Sequence, residues 1–354
     1  MNTDELYYSA TDLLKSLVET PSTSREETAA ADRIEQFITG TGRTAHRKNN
    51  NIWSIAPGYR PDRPTLLLNS HIDTVKPVSG WKREPFAATE EEGRIYGLGS
   101  NDAGASLVSL LHAFLWLSAK EQPYNLLFLA SAEEEVSGKN GIESVWSELP
   151  PVHFAVVGEP TGMRPAIAEK GLMVLDCTVY GKSGHAARQE GDNAIYKALK
   201  AVEAFRDFRF PEESDILGPV RLSVTLIQAG TQHNVIPDRC DFTVDVRTNE
   251  RYSNAEALEI LKKNIACEIT PRSLRLNSSH IDREHPFVRR AVLLGLEPFG
   301  SPTLSDQALI PVTSVKIGPG DSARSHTADE YIETEEIREG IELYIKLLDN
   351  LNIG

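Results

Sequence analysis

"TLLLNSHIDTV", Thr65 to Val75, decides how the rest of the chain is read. Three leucines in a row without polar alternation mark a strand buried on both faces, as strands inside a parallel sheet are. The run ends in His71 and Asp73, one residue apart, and alternate side chains of an extended segment share a face. Taken alone, the pair is either a metal ligand beside its orienting carboxylate or a polar strand end meeting solvent. The surrounding sequence has to separate the two.

Two more apolar runs, Asn125 to Ala132 and Phe154 to Gly158, also lack alternation. Apolar residues at helical spacing predict helices over 4–18, 25–39 and 103–119, with Pro21 and Ser22 breaking the chain between the first two. A strand over 51–56, a loop and short hairpin over 76–98 and a helix near 139–147 complete an alternating α/β grammar. The character changes after Gly171. Strand 172–180, helix 193–205, strands 221–228 and 240–247, helix 253–266 and a strand over 272–276 follow in the order βαββαβ, the ferredoxin-like unit. A complete fold of that size predicts an inserted domain, 172–279, inside a larger one made of 1–171 and 280–354. The larger fold resumes with a helix from Pro286, a strand over 314–317 and a last helix over 334–351.

The length of 354 residues favours two domains, and 40% apolar with 25% charged residues is ordinary for a globular protein. A net charge of −14 argues against a nucleic-acid-binding surface, which needs a basic footprint. Cys177, Cys240 and Cys267 are widely spaced with no Cys-x-x-Cys, which excludes a cysteine-built zinc site and fits reduced thiols. The opening MNTDELYYSATDLL is acidic and has no apolar core of signal-peptide length, and no run reaches membrane-spanning length. A soluble, cytoplasmic protein is expected.

Polar residues with chemical potential recur at strand ends. Asp102 lies in GLGSNDAGAS just before a helix, where a carboxylate is ordinarily a cap. Glu133, Glu134 and Glu135 follow one buried strand, Glu159 in VVGEP follows another, and His326 sits in a glycine-containing loop after a fourth. Each has a bland explanation. Together, His71, Glu134, Glu135, Glu159 and His326 all follow the carboxyl ends of hydrophobic strands, the edge where open α/β sheets assemble their sites. With Asp102 added, two histidines, three carboxylates and a spare glutamate suffice for two metal ions and a base. Imidazole and carboxylate donors suit zinc, with cobalt or manganese as substitutes. Two such ions about 3.5 Å apart polarise a carbonyl and lower the pKa of a bridging water. On this reading His71 binds metal and Asp73 holds its imidazole.

The motifs SHIDTV, GLGSNDAG, SAEEEVSG, GEPT, GKSGHAA, NVIPD and GPGDSARSHTADEY, in that order between residues 69 and 331, resemble those of the M20 metallopeptidases and deacylases. GEPT followed by EKG, Glu169 to Gly171, is closest to the acetylornithine deacetylase branch, with succinyl-diaminopimelate desuccinylase a near relative. The resemblance implies a zinc-exopeptidase-like catalytic domain with a mixed central sheet, and an inserted ferredoxin-like lid that forms a homodimer. It implies two zinc ions, one held by His71 and Glu159, the other by Glu135 and His326, with Asp102 bridging and Glu134 as general base. His185 would reach the partner subunit's site, with Asn234 in a supporting role. The implied reaction removes an acyl group, acetyl first, from an N-acyl amino acid such as N-acetylornithine, in arginine biosynthesis. The alternatives are a desuccinylase or a di- or carboxypeptidase of the same family; a non-enzymatic binding protein is disfavoured by the intact ligand set. Any such substrate carries a carboxylate, for which Arg324, then Arg247, then Lys170 are the candidate cations. One departure stands out: many members read Asp-x-Lys-Gly where this chain has Asp102, Ala103, Gly104 and Ala105.

Overall fold

The computed structural model describes residues 2–188 and 190–353. The chain divides into two compact units. One is Met1–Ile167 with Ile281–Phe299 and Ser305–Gly354; the other is Ala168–His280 with Gly300–Leu304. The division falls a few residues before Gly171 because Ala166–Glu169 is itself a strand, too short to stand out in the sequence. Ala166 pairs with Lys316, while Glu169 and Ala168 pair with Ser279 and His280.

The larger unit is built on a mixed sheet. Across it run His46–Lys48, Asn51–Ile55, Asn125–Ser131, Thr65–His71, Phe154–Val157, Ser314–Lys316 and Ala166–Glu169. The middle of the sheet is parallel, with Thr65–His71 between Asn125–Ser131 and Phe154–Val157, and Ser314–Lys316 parallel to the latter. Every residue of Thr65–His71 and of Asn125–Ser131 is buried, which is why neither run alternates. Leu67, Leu127, Leu129, Ala155 and Val157 pack on one face with Trp53, Ile142, Val145 and Ile310. The helices Thr3–Val18, Ala105–Leu117 and Thr334–Leu348 pack on one another, and Ala105–Leu117 also lies against the central strand. That helix is buried nearly all round, so ASLVSLLHAFLWL carries no charged face. Each leucine so buried contributes about 2 kcal/mol.

The smaller unit is a four-stranded antiparallel sheet in the order Arg221–Ala229, Arg239–Arg247, Met173–Tyr180, Glu268–Pro271. With the helices Ala194–Asp207 and Asn254–Asn264 it is the βαββαβ unit, its core made by alternate residues such as Met173, Leu175, Cys177 and Val179. The last strand lies at 268–271, not at 272–276. Ile269 is the residue that faces buried Cys177, and Pro271, lacking an N–H, closes the ladder. Leu274 and Leu276 bury their side chains without pairing, which gave them a strand-like look in the sequence. Among the described residues no helix is long and apolar enough to cross a membrane.

His112 is the one imidazole inside the helix Ala105–Leu117. Its Nδ1–H donates to Val108 O at 2.7 Å, and Nε2 accepts from Ser9 Oγ at 3.0 Å, so the neutral ring is satisfied. Burial lowers its pKa to about 4, partly opposed by the Val108 carbonyl. A lowered histidine pKa stabilises the fold fully above the unfolded value near 6.5, and that stability is lost as pH falls toward 4. The loss should approach about 3 kcal/mol. Urea unfolding at pH 7.5 and 4.5 should show wild type losing more stability than His112→Gln; parallel losses would place the histidine outside this linkage.

Candidate metal centre

Parallel strands deliver their carboxyl ends to one edge. His71 ends the central strand opposite Ser131, and the Glu133–Glu135 turn follows Ser131. Glu159 follows Val157 two residues on, and the loop carrying His326 follows Lys316. Asp102 comes from an irregular turn, Ser100–Gly104, that departs from helical angles at Asp102 and Ala103 before the helix begins at Ala105. The Asp102–Ala103 peptide is cis.

The side chains meet around Asp102. Its Oδ1 lies 3.3 Å from His71 Nε2, and its Oδ2 lies 3.6 Å from His326 Nε2. Each histidine has a further carboxylate: Glu159 Oε1 is 3.8 Å from His71 Nε2, and Glu135 Oε2 is 3.0 Å from His326 Nε2. Glu134 belongs to the same knot, since ligand atoms of His71, Glu134 and Glu159 lie within 4.8 Å of one another. So do those of His71, Asp102 and Glu135.

Asp73 does more than hold the His71 imidazole. The main-chain oxygen of Asp73, not its carboxylate, accepts from His71 Nδ1 at 2.9 Å; the nearer carboxylate oxygen is 3.6 Å away. The carboxylate instead accepts the N–H of Glu134 at 3.0 Å and of Glu135 at 3.1 Å, and Ser24 Oγ at 2.7 Å. It therefore fixes the turn that presents both glutamates. Ser24 and two more buried carboxylates were not foreseen. Asp306 accepts from Asn69 Nδ2 and Ser131 Oγ, tying the ends of two neighbouring strands. Glu330 accepts the N–H groups of Asn101 and Asp102. Glu330 lies within the quoted HTADEY stretch, but nothing in LSDQAL flags Asp306.

The three cations expected to hold a substrate carboxylate have partners already. Arg324 Nη1 donates to Glu336 at 2.6 Å, and its guanidinium lies 4.6 Å over the Tyr331 ring. These contacts brace the loop that carries Arg324. Arg247 pairs with Asp245 at 2.8 Å, and Lys170 Nζ donates to Pro219 O at 2.8 Å. Lys170, Arg247, His185 and Asn234 all belong to the smaller unit. There His185 is exposed on a two-stranded ladder, Gly184–His185 with Val235–Ile236, and the Ala186 N–H donates to Asn234 O at 3.0 Å.

The electrostatics are those of crowded carboxylates. Burial raises Glu159 to about 8; His71 opposes this, and Asp102 and Glu135 add to it. Glu134 is raised well above the ordinary range, first by loss of hydration and then by Glu159, Asp306 and Glu135 against the pull of His71. His326 is raised to about 9, chiefly by Glu135. The Asp73 carbonyl holds the proton of His71 on Nδ1, so Nε2 faces Asp102 and Glu159 as one acceptor facing two others. A proton or a divalent cation reconciles such a set. Imidazole and carboxylate donors in two groups that share one aspartate fit a pair of divalent ions of the zinc class.

Residues 67–350 match the model of peptidase family M20/M25/M40. An acetylornithine deacetylase from Myxococcus xanthus is 30% identical over 312 residues, covering 81% of this chain and 80% of its own. A succinyl-diaminopimelate desuccinylase from Orientia tsutsugamushi is 26% identical over 339 residues, covering 90% of this chain and 84% of its own. Among solved structures, a dinuclear metal-binding peptidase of the M20 family from Bacillus subtilis superposes with a TM-score of 0.75 at 17% identity, covering 98% of both chains.

Replacing Asp73 with Asn should loosen the Glu134–Glu135 turn, because an amide sets a donor against one of the two N–H groups. Leaving that buried pair unmatched costs about 1–3 kcal/mol. A lower thermal midpoint together with reduced divalent-metal uptake is expected. An unchanged midpoint and uptake would show that the turn stands without this carboxylate.

Proposed function

The chain belongs to peptidase family M20/M25/M40 and is a hydrolase, and from that premise we propose that it removes an N-acyl group, acetyl first, from an amino acid such as N-acetylornithine. One observation carries the reading: the two oxygens of Asp102 face different histidines, each with its own second carboxylate. His71 and Glu159 would hold one divalent ion, Glu135 and His326 the other, and Asp102 would be shared. Zinc suits these donors best, with cobalt or manganese as substitutes. Bound ions would supply Lewis-acid polarisation of the acyl carbonyl and would acidify the attacking water.

The chain's own residues do the rest. Asp73 grips the Glu134 main chain, and in this reading the Glu134 carboxylate, beside His71 and Glu159, serves as general base and not as a ligand. It takes a proton from the attacking water and returns it to the amine as the C–N bond breaks. Asp73 keeps the His71 tautomer through its carbonyl and the glutamate turn through its carboxylate.

A desuccinylase is the second reading, supported by the Orientia relative's longer alignment with this chain. A succinyl group adds a carboxylate and so demands one more cation. Arg324, held by Glu336 and Tyr331, is poorly placed to supply it, which favours the uncharged acetyl group. The reading also takes the protein to be a homodimer. The strand Arg221–Ala229 is a sheet edge on which Leu226 and Ile227 are 64% and 54% exposed, and such an edge invites pairing with a second copy.

A panel of acetyl, succinyl and formyl amino acids with dipeptides, assayed with zinc or cobalt, tests the assignment. Fastest cleavage of acetyl substrates supports it, faster succinyl cleavage moves it to the second reading, and cleavage of dipeptides alone overturns both. Glu134→Gln should lower kcat by about 10²-fold or more while both metals stay bound. Loss of one metal equivalent would mean that Glu134 and Glu135 exchange roles. His185→Ala should be inactive alone yet regain activity when mixed with Glu134→Gln under conditions of proven subunit exchange; exchange without recovery rules out action across the dimer.

A further inference from the structure

We infer that Glu330 is a positioning residue that sets Asp102 between the two histidines. The inference rests on the proposed role of Asp102 as the shared ligand and adds the group that aims it. Glu330 is 2% exposed, and its Oε1 accepts the main-chain N–H of both Asn101 and Asp102 at 2.9 Å. The Gly99 N–H is also directed to this carboxylate. Successive N–H groups converging on one anion form a nest, and a nest is shaped by the anion it encloses. Gly99, at φ +77 in the left-handed region, supplies the bend that turns these N–H groups inward.

The turn needs such an outside hold. Asp102 and Ala103 leave helical angles, so the regular ladder of a helix does not fix the direction of the Asp102 side chain. With its N–H held by Glu330, the main chain at Asp102 is fixed, and from that point its carboxylate reaches both histidines. The hold comes from a meaningful place. Glu330 lies four residues beyond His326 in one loop, so a single carboxylate references Asp102 to the histidine 3.6 Å from it. Asn101 adds a second tie to the same loop, donating to Asp321 O at 3.1 Å and accepting from Asp321 N–H at 3.0 Å. Asp329, the neighbour of Glu330, accepts the N–H groups of Lys82 and Arg83 at 2.9 and 3.0 Å, so the loop that carries His326 also pins the segment after Gly80. Tyr331–Glu333 then enters a ladder with Arg94–Tyr96, which anchors the loop's far end.

The test compares wild type, Glu330→Ala, Glu330→Gln and Glu330→Asp as full-length, metal-stripped proteins titrated with Co²⁺. Visible absorption reports coordination and stoichiometry, thermal melting reports folding, and steady-state assays on the best substrate of the panel report kcat and KM. Glu330→Gln keeps an Oε1 for Asn101 and Asp102 and should retain both cobalt sites and most of the spectrum. Glu330→Ala should bind Co²⁺ about ten-fold or more weakly, with altered bands and a kcat about ten- to a hundred-fold lower at nearly unchanged KM. If Glu330→Ala does not fold, Glu330→Asp decides: one methylene shorter, it should lose the wild-type spectrum that Gln keeps. Wild-type cobalt binding and spectrum in Ala or Asp, with activity lowered only in step with the folded fraction, would overturn the inference and leave Asp102's proposed role intact. Failure of wild type itself to take up Co²⁺ would instead overturn the metal reading on which the inference rests.

Discussion

Like charges brought together at the edge of a buried sheet repel, and the arrangement of the larger unit follows from how that repulsion is contained. Asp102, Glu134, Glu135 and Glu159 gather around two imidazoles. Two unit charges about 4 Å apart near a protein surface cost roughly 4 kcal/mol when they are alike. Arginine or lysine partners would relieve the strain but would also occupy the carboxylate lone pairs. Buried Lys316 does so for part of the Glu159 charge, and a surrounding ring of acids is held by main-chain N–H groups. Asp73 is held by the Glu134 and Glu135 amides, Glu330 by those of Asn101 and Asp102, and Asp329 by those of Lys82 and Arg83. Glu27 accepts Glu133 N–H at 3.3 Å, and Glu133 in turn accepts from Asn140. Each of these acids anchors a loop without neutralising the inner carboxylates, which keep their capacity for divalent ions.

That logic explains which parts of the site were legible in the sequence. Three of the strands could be read because burial on both faces leaves unbroken apolar runs, and residues at their carboxyl ends share an edge by topology. His71, Glu134, Glu135 and Glu159 owe their shared edge to that topology. Partnerships between a side chain and a distant main-chain amide leave no such trace. Asp73 was expected to face His71 because alternate residues share a face, yet Thr65–His71 ends before it and the chain bends. Its carboxylate then meets amides 61 and 62 residues away. The Arg324 partner was hidden for a similar reason, since Glu336 lies in the following helix, 12 residues on. Asp306 reaches Asn69 across 237 residues, a pairing no local pattern encodes.

The smaller unit shows a different limit. Its strands alternate cleanly, as in the burial of Met173–Tyr180, and so its βαββαβ order was readable. Its chemistry was not, because Lys170, Arg247 and His185 are defined by what they approach. Arg247 keeps its guanidinium on Asp245 and remains a third exposed, and Lys170 is buried against a carbonyl. A carboxylate ligand would have to compete with those bonds, and a half-exposed pair such as Arg247–Asp245 yields more easily than a buried one. Of the three expected cations, Arg247 therefore has the bond that yields most easily.

The departure after Asp102 can be understood in the same terms. Where resembling chains carry a lysine two residues beyond the aspartate, this chain has Gly104, and the space there is closed. A Cβ at Gly104 would stand 2.4 Å from Gly99 O and 2.7 Å from Leu14 Cδ1. Gly104 N–H meanwhile donates to the same Gly99 carbonyl at 2.9 Å. The turn is thus drawn tight against the first helix, and Ala103 and Ala105, 2% and 0% exposed, seal it from solvent. A lysine would force the turn open and bring a cation beside the acids that flank it. Its omission costs no acidic or imidazole side chain at the site. It makes the turn's shape depend on hydrogen bonds alone, which is why Glu330 and Asp321, reaching in from the loop of His326 to the main chain at Asp102 and the Asn101 side chain, carry so much of its definition.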